Sequence, residues 1–214
     1  MTDPDQHTRD LAAGGGPTAW FDRLYTEAAA GTAVVPWDRG TPHPLLEPWL
    51  VELELDQRDR RALTIGCGFG EDAELLARHG FATTAFDVAP TAVEGARRRF
   101  PGSTVDYRVA DLLSPPPEWR HGFDLVVEIM TVQAMPVSVR AAAIAHVRDL
   151  VAPGGTLLVI ALARLVPDPG IGPPWGLAHD ELNAFARDGL AAVAIRGPQE
   201  APGVLRWRAQ FHRP

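Results

Sequence analysis

Apolar residues recur at two different spacings along this 214-residue chain, and the change from one to the other divides it. From Thr18, the residues Trp20, Phe21, Leu24, Tyr25 and Ala28 fall at helical spacing, and Gly31 is placed to end the turn. An irregular stretch from Thr32 to Pro44 follows, and then a second helix with Leu45, Leu46, Trp49, Leu50 and Leu53 on one face and Pro44 near its first turn. The charged run Asp56 to Arg61 closes this N-terminal layer.

Beyond it, short apolar runs alternate with helical segments, the pattern of parallel βαβ units. Strands are predicted at Ala62–Ile65, Thr83–Phe86, Val105–Val109, Phe123–Ile129 and Thr156–Leu162, the last entered through Gly154-Gly155. Helices are predicted at Glu71–His79, Pro90–Phe100, Ser138–Val151 and, after a proline-rich loop, Ala178–Asp188. Ala191–Ile195 and Val204–Phe211 complete a set of seven strands. The segment Met1 to Gly16 is polar, carries charges of both signs and ends in three glycines, so it is expected to be a flexible tail without a signal region. Residues 17–214 are then one domain, with 17–60 a helical cap and 61–214 the α/β core.

Composition narrows the chemistry. All 20 basic residues are arginine, which removes a phosphate-loop lysine, a Schiff-base lysine and a kinase strand lysine. The one cysteine, Cys67, allows no intramolecular disulfide and no multi-cysteine metal site, so no metal is expected. A net charge of −7 argues against nucleic acid and anionic membranes and for a small-molecule ligand. No apolar run approaches the roughly 18 residues of a membrane span, and a cytoplasmic monomer is expected.

The central signal is Ile65-Gly66-Cys67-Gly68-Phe69-Gly70, placed after a strand and before a helix. Glycines there let the backbone turn sharply and approach a ligand beside a helix N-terminus. The dinucleotide fingerprint would need its third glycine at position 71, which is Glu71. Asp87 ends the second strand 17 residues after Gly70, where a carboxylate can accept from ribose hydroxyls or cap the next helix. After the third strand, Asp111 can accept from an adenine amino group while Leu112 meets the ring, or the pair can form a surface turn.

Glycine loop, two strand-end acids and an apolar fourth strand together resemble the class I methyltransferases that use S-adenosylmethionine, over Arg61 to Ile160. Within that class the chain is most similar to the thiopurine, halide and thiol methyltransferases. Thr64 stands where most class members carry an acid. Phe86-Asp87-Val88-Ala89-Pro90-Thr91-Ala92-Val93 matches that group's run after strand two. Pro36-Trp37-Asp38-Arg39-Gly40 and Gly172-Pro173-Pro174-Trp175 match its flanking segments. The resemblance implies a Rossmann-like, mostly parallel seven-stranded sheet with helices on both faces and an N-terminal helical arm covering the site. It implies S-adenosylmethionine held by Trp37, Gly66, Cys67, Gly68, Gly70, Asp87, Val88, Asp111, Leu112 and Glu128. Trp37, His43 and Trp175 would line the substrate pocket.

The activity implied is in-line methyl transfer to a small soft nucleophile such as a thiol or halide. A nicotinamide-dependent oxidoreductase and a non-catalytic cofactor-binding module stay open as alternatives. No general base stands out. Glu128, costly in an apolar strand unless solvated or paired, is expected to face the cleft. Asp38 could bind the cofactor's amino group or fix the arm, and Arg140 lies near where relatives carry a substrate-side arginine. Arg97-Arg98-Arg99 reads as a solvated helix end whose cations suit the negative pole of the dipole.

Overall fold

The computed structural model describes residues 3–53, 60–166, 172–201 and 204–214; most of the charged run from Asp56 lies outside them. Seven strands form one sheet: β1 (Arg61–Ile65), β2 (Ala82–Asp87), β3 (Asp106–Val109), β4 (Phe123–Ile129), β5 (Val151–Leu162), β6 (Ala191–Ala201) and β7 (Val204–His212). Their spatial order is β3-β2-β1-β4-β5-β7-β6. The pairings β1–β2, β1–β4, β2–β3 and β4–β5 are parallel, and β7 runs antiparallel to both β5 and β6. Strand order reverses between β1 and β4, and in such sheets the crevice beyond that reversal is the usual ligand site.

Helices cover both faces, as a parallel sheet buried on both sides requires. On one, Leu63, Ile65, Val126, Leu157 and Val159 pack with α6 (Val137–Leu150). On the other, Ala62, Leu125, Val127, Leu158 and Ile160 meet α3 (Leu46–Glu52) and α4 (Glu71–Arg78). The period of two in the strands thus delivers one apolar set to each face. Helix α5 (Pro90–Arg99) packs through Val93 and Ala96 with Ala85 and Tyr107. Helix α7 is only His179–Asn183, shorter than predicted, and β5 takes in Gly154-Gly155 instead of starting after them.

The expected flexible tail is a correction. Residues Pro4–Ala13 form helix α1, with the Asp3 side chain accepting from Asp5 N–H and Pro4 at its first turn. Its Thr8 and Leu11 are buried, and His7 pairs with Glu27 of α2 (Ala19–Ala29) at 2.6 Å. Composition suggested disorder; the Asp3-Pro4 cap and Leu11 against α2 override it. Among the described residues no helix is long and apolar enough to cross a membrane.

Candidate active site

The sheet's reversal opens into a cleft of about 1180 Å³, counting the space at its mouth. Its floor is the loop after β1. Gly66 and Gly70 sit at φ +60° and +97°, and neither could carry a side chain. A Cβ on Gly66 would lie 2.3 Å from Thr131 Oγ1, and one on Gly70 would lie 2.3 Å from the Tyr107 hydroxyl. Both hydroxyls have their own anchors: Thr131 donates to the Ile65 carbonyl at 3.0 Å, and Tyr107 to Glu74 at 2.7 Å. Cys67 is buried, and desolvation with the nearby Asp87 charge pushes its thiol upward, so it is a small filler and no nucleophile.

Asp87 stands at the end of β2 and lines the cleft. Its Oδ2 accepts from Gly68 N–H at 2.9 Å and its Oδ1 from Ala89 N–H at 3.0 Å. Burial raises its pKa and these backbone bonds oppose the shift. Ala89, not Asp87, is the residue that caps α5. Each carboxylate oxygen keeps further lone pairs for a ligand hydroxyl. At the end of β3, Asp111 accepts from Leu113 N–H at 2.8 Å, and Val88, Asp111 and Leu112 line the same side of the cleft.

The N-terminal arm forms the cover. Trp37 Nε1 donates to the Tyr25 hydroxyl at 2.8 Å, and its ring meets Trp20, Phe21 and Tyr25 edge-on at 6.1–6.2 Å between centroids. Burial drives the Tyr25 phenol well above its usual range, so it stays protonated. Asp38 is among the cleft-lining residues, but both of its oxygens are bound by Arg99, so it fixes the arm.

Four sequence-predicted residues do not face the cleft. Glu128 is fully buried behind its wall. Its Oε1 accepts from Thr131 and Val132 N–H at 2.8 and 2.9 Å, holding the short helical turn Val132–Ala134, and burial raises its pKa to about 7. Arg140, also buried, donates to the carbonyls of Met135 (3.1 Å), Gln133 (3.1 Å) and Trp175 (2.6 Å) and to Glu181 (2.9 Å). It ties the Gly172–Trp175 loop to the segment after β4. His43 is 1% exposed and lies outside the cleft lining. Its Nδ1 accepts from Leu45 N–H, and burial lowers its pKa to about 3, so the ring is neutral. The Trp175 ring lies against Gly172 and borders a separate, shallow pocket with Trp20 and Pro136, whereas Pro173 and Pro174 are the loop residues at the cleft.

Sequence reasoning missed several lining residues. Trp20, Phe21 and Tyr25 looked like helix core, which their periodicity also satisfies. Asp72, directly behind the glycines, lines the cleft while accepting from His43 N–H at 2.6 Å, and burial raises its pKa. Met130, Thr131, Gln133 and Met135 line it from beyond β4; their place after the fourth strand was the available signal. Among the described residues no cluster of three or more His, Cys, Asp or Glu is arranged to hold a metal. Chemically, the cleft offers carboxylate acceptors for hydroxyl and amino groups at the ends of β2 and β3, and aromatic faces for a cation under the arm.

Comparison with known proteins supplies the class. Residues 62–155 match a family model described as a methyltransferase domain. A probable thiol methyltransferase 2 of Arabidopsis thaliana is 26% identical over 97% of this chain and 94% of its own length. A ubiquinone biosynthesis O-methyltransferase of Xanthomonas axonopodis pv. citri (strain 306) is 35% identical, over 60% of this chain and 56% of that protein. Among solved structures, one titled for conversion of a disulfide bond into a thioacetal group during echinomycin biosynthesis superposes with a TM-score of 0.73. It has 22% identity and covers 90% of this chain and 91% of its own. A TehB-like SAM-dependent methyltransferase from Corynebacterium glutamicum gives a TM-score of 0.61, with 20% identity and coverage of 98% and 99%. Sheet order, glycine-floored cleft and family match agree: residues 62–155 carry a methyltransferase domain in a sheet of the Rossmann-like methyltransferase fold, and the enzyme's cofactor is S-adenosylmethionine.

Proposed function

We propose that this enzyme transfers a methyl group to a small soft nucleophile, a thiol in the first instance, by in-line displacement. The observation that carries the reading is the aromatic end of the cleft, where Trp37, bonded to Tyr25 and edge-on to the stacked pair Trp20 and Phe21, faces a lining that holds no histidine among the described residues. A thiolate needs no strong base, and an anion meeting a cation reacts best where water is excluded. The Arabidopsis and echinomycin-pathway likenesses, both named for sulfur chemistry, support it. The nicotinamide alternative is set aside with the family match.

When bound, the cofactor supplies an electrophilic methyl carbon on a sulfonium. In this reading Asp87 accepts from the ribose hydroxyls, while Val88, Asp111 and Leu112 hold the adenine. The loop Gly66–Gly70 carries the methionine side, and the Trp37 face favours the sulfonium by roughly 0.5–2 kcal/mol. Pro173 and Pro174 wall the acceptor, and holding it in line with the methyl is the protein's main contribution. A phenolic oxygen is the second reading, favoured by Asp72, a cleft carboxylate with one oxygen engaged by His43 and the other open for a proton. Methyl-labelled S-adenosylmethionine with a panel of thiols, halides and phenols separates the two. Transfer to thiols is expected; transfer confined to phenols, or to no acceptor at all, would overturn it.

A further inference from the structure

The three consecutive arginines that end α5 do three different things. Arg97 donates to the Tyr107 carbonyl, inside its own βαβ unit. Arg98 makes a loose pair with Glu94 one turn back, at 3.6 Å, with both side chains mostly in solvent. Arg99 leaves its helix. Its Nη1 and Nη2 donate to Asp38 Oδ1 and Oδ2 at 3.0 and 2.9 Å, a two-point fork on the arm. The same Nη1 reaches Glu71, the first residue of α4. The guanidinium also lies over the Phe69 ring, 4.6 Å from its centroid. Phe69 is the side chain in the middle of the glycine loop, and it lies so close on α5 that a Cβ at Gly95 would come within 2.6 Å of its ring.

One cation therefore joins the arm that carries Trp37, the loop that floors the cleft and the helix that follows it. Two carboxylates share that cation, so its removal does more than delete hydrogen bonds. Asp38 and Glu71, brought to a single nitrogen, would then face each other as like charges, and the arm would be pushed off the loop. We propose that Arg99 is a positioning residue, the latch that fastens the Trp37 arm over bound cofactor and so sets how long the cofactor stays. This rests on the cleft being the cofactor site.

The test uses S-adenosylhomocysteine as the probe, by calorimetry and by stopped-flow dissociation. Arg99→Gln is expected to weaken binding about tenfold or more, mainly through faster dissociation, because an arm that opens more readily releases what it covers. Arg98→Gln, one residue away, is expected to bind as the wild type does. Arg99→Lys, which cannot fork onto Asp38, should fall between. Asp38→Asn should also weaken binding, and combining it with Arg99→Gln should cost no more than Arg99→Gln alone and recover part of that loss, since both break one contact and the amide relieves the repulsion with Glu71. This non-additivity in affinity separates a latch from a general loss of stability. The proposal is overturned if Arg99→Gln releases the probe at the wild-type rate, or if the two substitutions add fully. Failure of the wild type itself to bind the probe would instead strike the cofactor site.

Discussion

The carboxyl ends of β2 and β4 lie on either side of β1, and each carries a buried carboxylate, yet the two are put to opposite uses. Asp87, at the end of β2, is held by two backbone N–H groups and lines the cleft. Glu128 on β4 pairs with Ile65 as Phe86 does, one place short of the match to Asp87, so it points to the opposite face of the sheet and holds the backbone of the next turn. The chain that follows each strand then supplies donors on the face its carboxylate already occupies. After β2 the backbone runs straight to Pro90 and into α5, leaving Asp87 at the mouth. After β4 it doubles back through Met130, at φ +62°, so that Thr131 and Val132 present their N–H groups to Glu128. A strand-end carboxylate thus becomes a ligand group or a wall support according to the face its register gives it, and the next few residues supply the donors that fix it there.

Asp87→Ala attacks the ligand side of this contrast and should have the largest effect. Losing hydrogen bonds to a charged acceptor, at about 1.5–3 kcal/mol each, should lower the affinity for S-adenosylhomocysteine on the order of 100-fold. Calorimetry measures this directly, and an unchanged affinity would mean that Asp87 only shapes the loop.

Glu128→Gln probes the wall side through pH. The Glu128 pKa, about 7 in the folded protein, is raised above the ordinary glutamate value near 4.5, chiefly by burial. A carboxyl shifted upward contributes stability that is complete below the unfolded value and is lost as pH rises through the folded one. The wild type should therefore lose up to on the order of 3 kcal/mol relative to Glu128→Gln between pH 4.5 and 8. His43 slopes the other way: with its pKa lowered to about 3 by burial, its contribution is present above the usual histidine value of 6.5 and lost as pH falls. The wild-type profile alone is thus flattened between pH 4.5 and 6.5, and only the difference between the two proteins isolates Glu128. Urea unfolding of both at pH 5 and 8 gives that difference, and parallel profiles would show that Glu128 carries no extra proton.

The same contrast explains what the sequence made legible. The sheet, the glycine loop, Asp87, Asp111 and the arm's Trp37 are written locally, in periodicity, in glycines where the backbone has positive φ, and in acids at strand ends. Arg140 is not, because its direction depends on groups the fold brings from elsewhere, and Glu128 takes its direction from the register of β4 against β1, which the apolar run alone does not show. Arg140 turns from the cleft because the Trp175 carbonyl and Glu181, 35 and 41 residues on, satisfy it inside. That inward pull also sets Trp175 outside the cleft and leaves Pro173 and Pro174 to line it. Helix α1 was written in the chain, in Asp3-Pro4 and Leu11, but polar composition masked it.

The smallest expected effect separates Trp37 from Trp175, the aromatic residues of the two covers. If the Trp37 face stabilises a sulfonium, Trp37→Ala should weaken S-adenosylmethionine, which carries that charge, more than S-adenosylhomocysteine, which does not. The selective loss is roughly 0.5–2 kcal/mol, on top of any loss shared by both ligands from a looser arm. Trp37→Phe keeps a π face but loses the donor to Tyr25, so it should retain most of the selectivity while showing the shared loss. Trp175→Ala should leave the ratio of the two affinities unchanged, because its ring lies beside Gly172 and Arg140, outside the cleft. Equal losses for both ligands in Trp37→Ala would reduce Trp37 to a packing residue of the arm. A changed ratio in Trp175→Ala would bring the wall beyond β4 into contact with the cofactor's charge, and the division between the two strand ends would no longer hold.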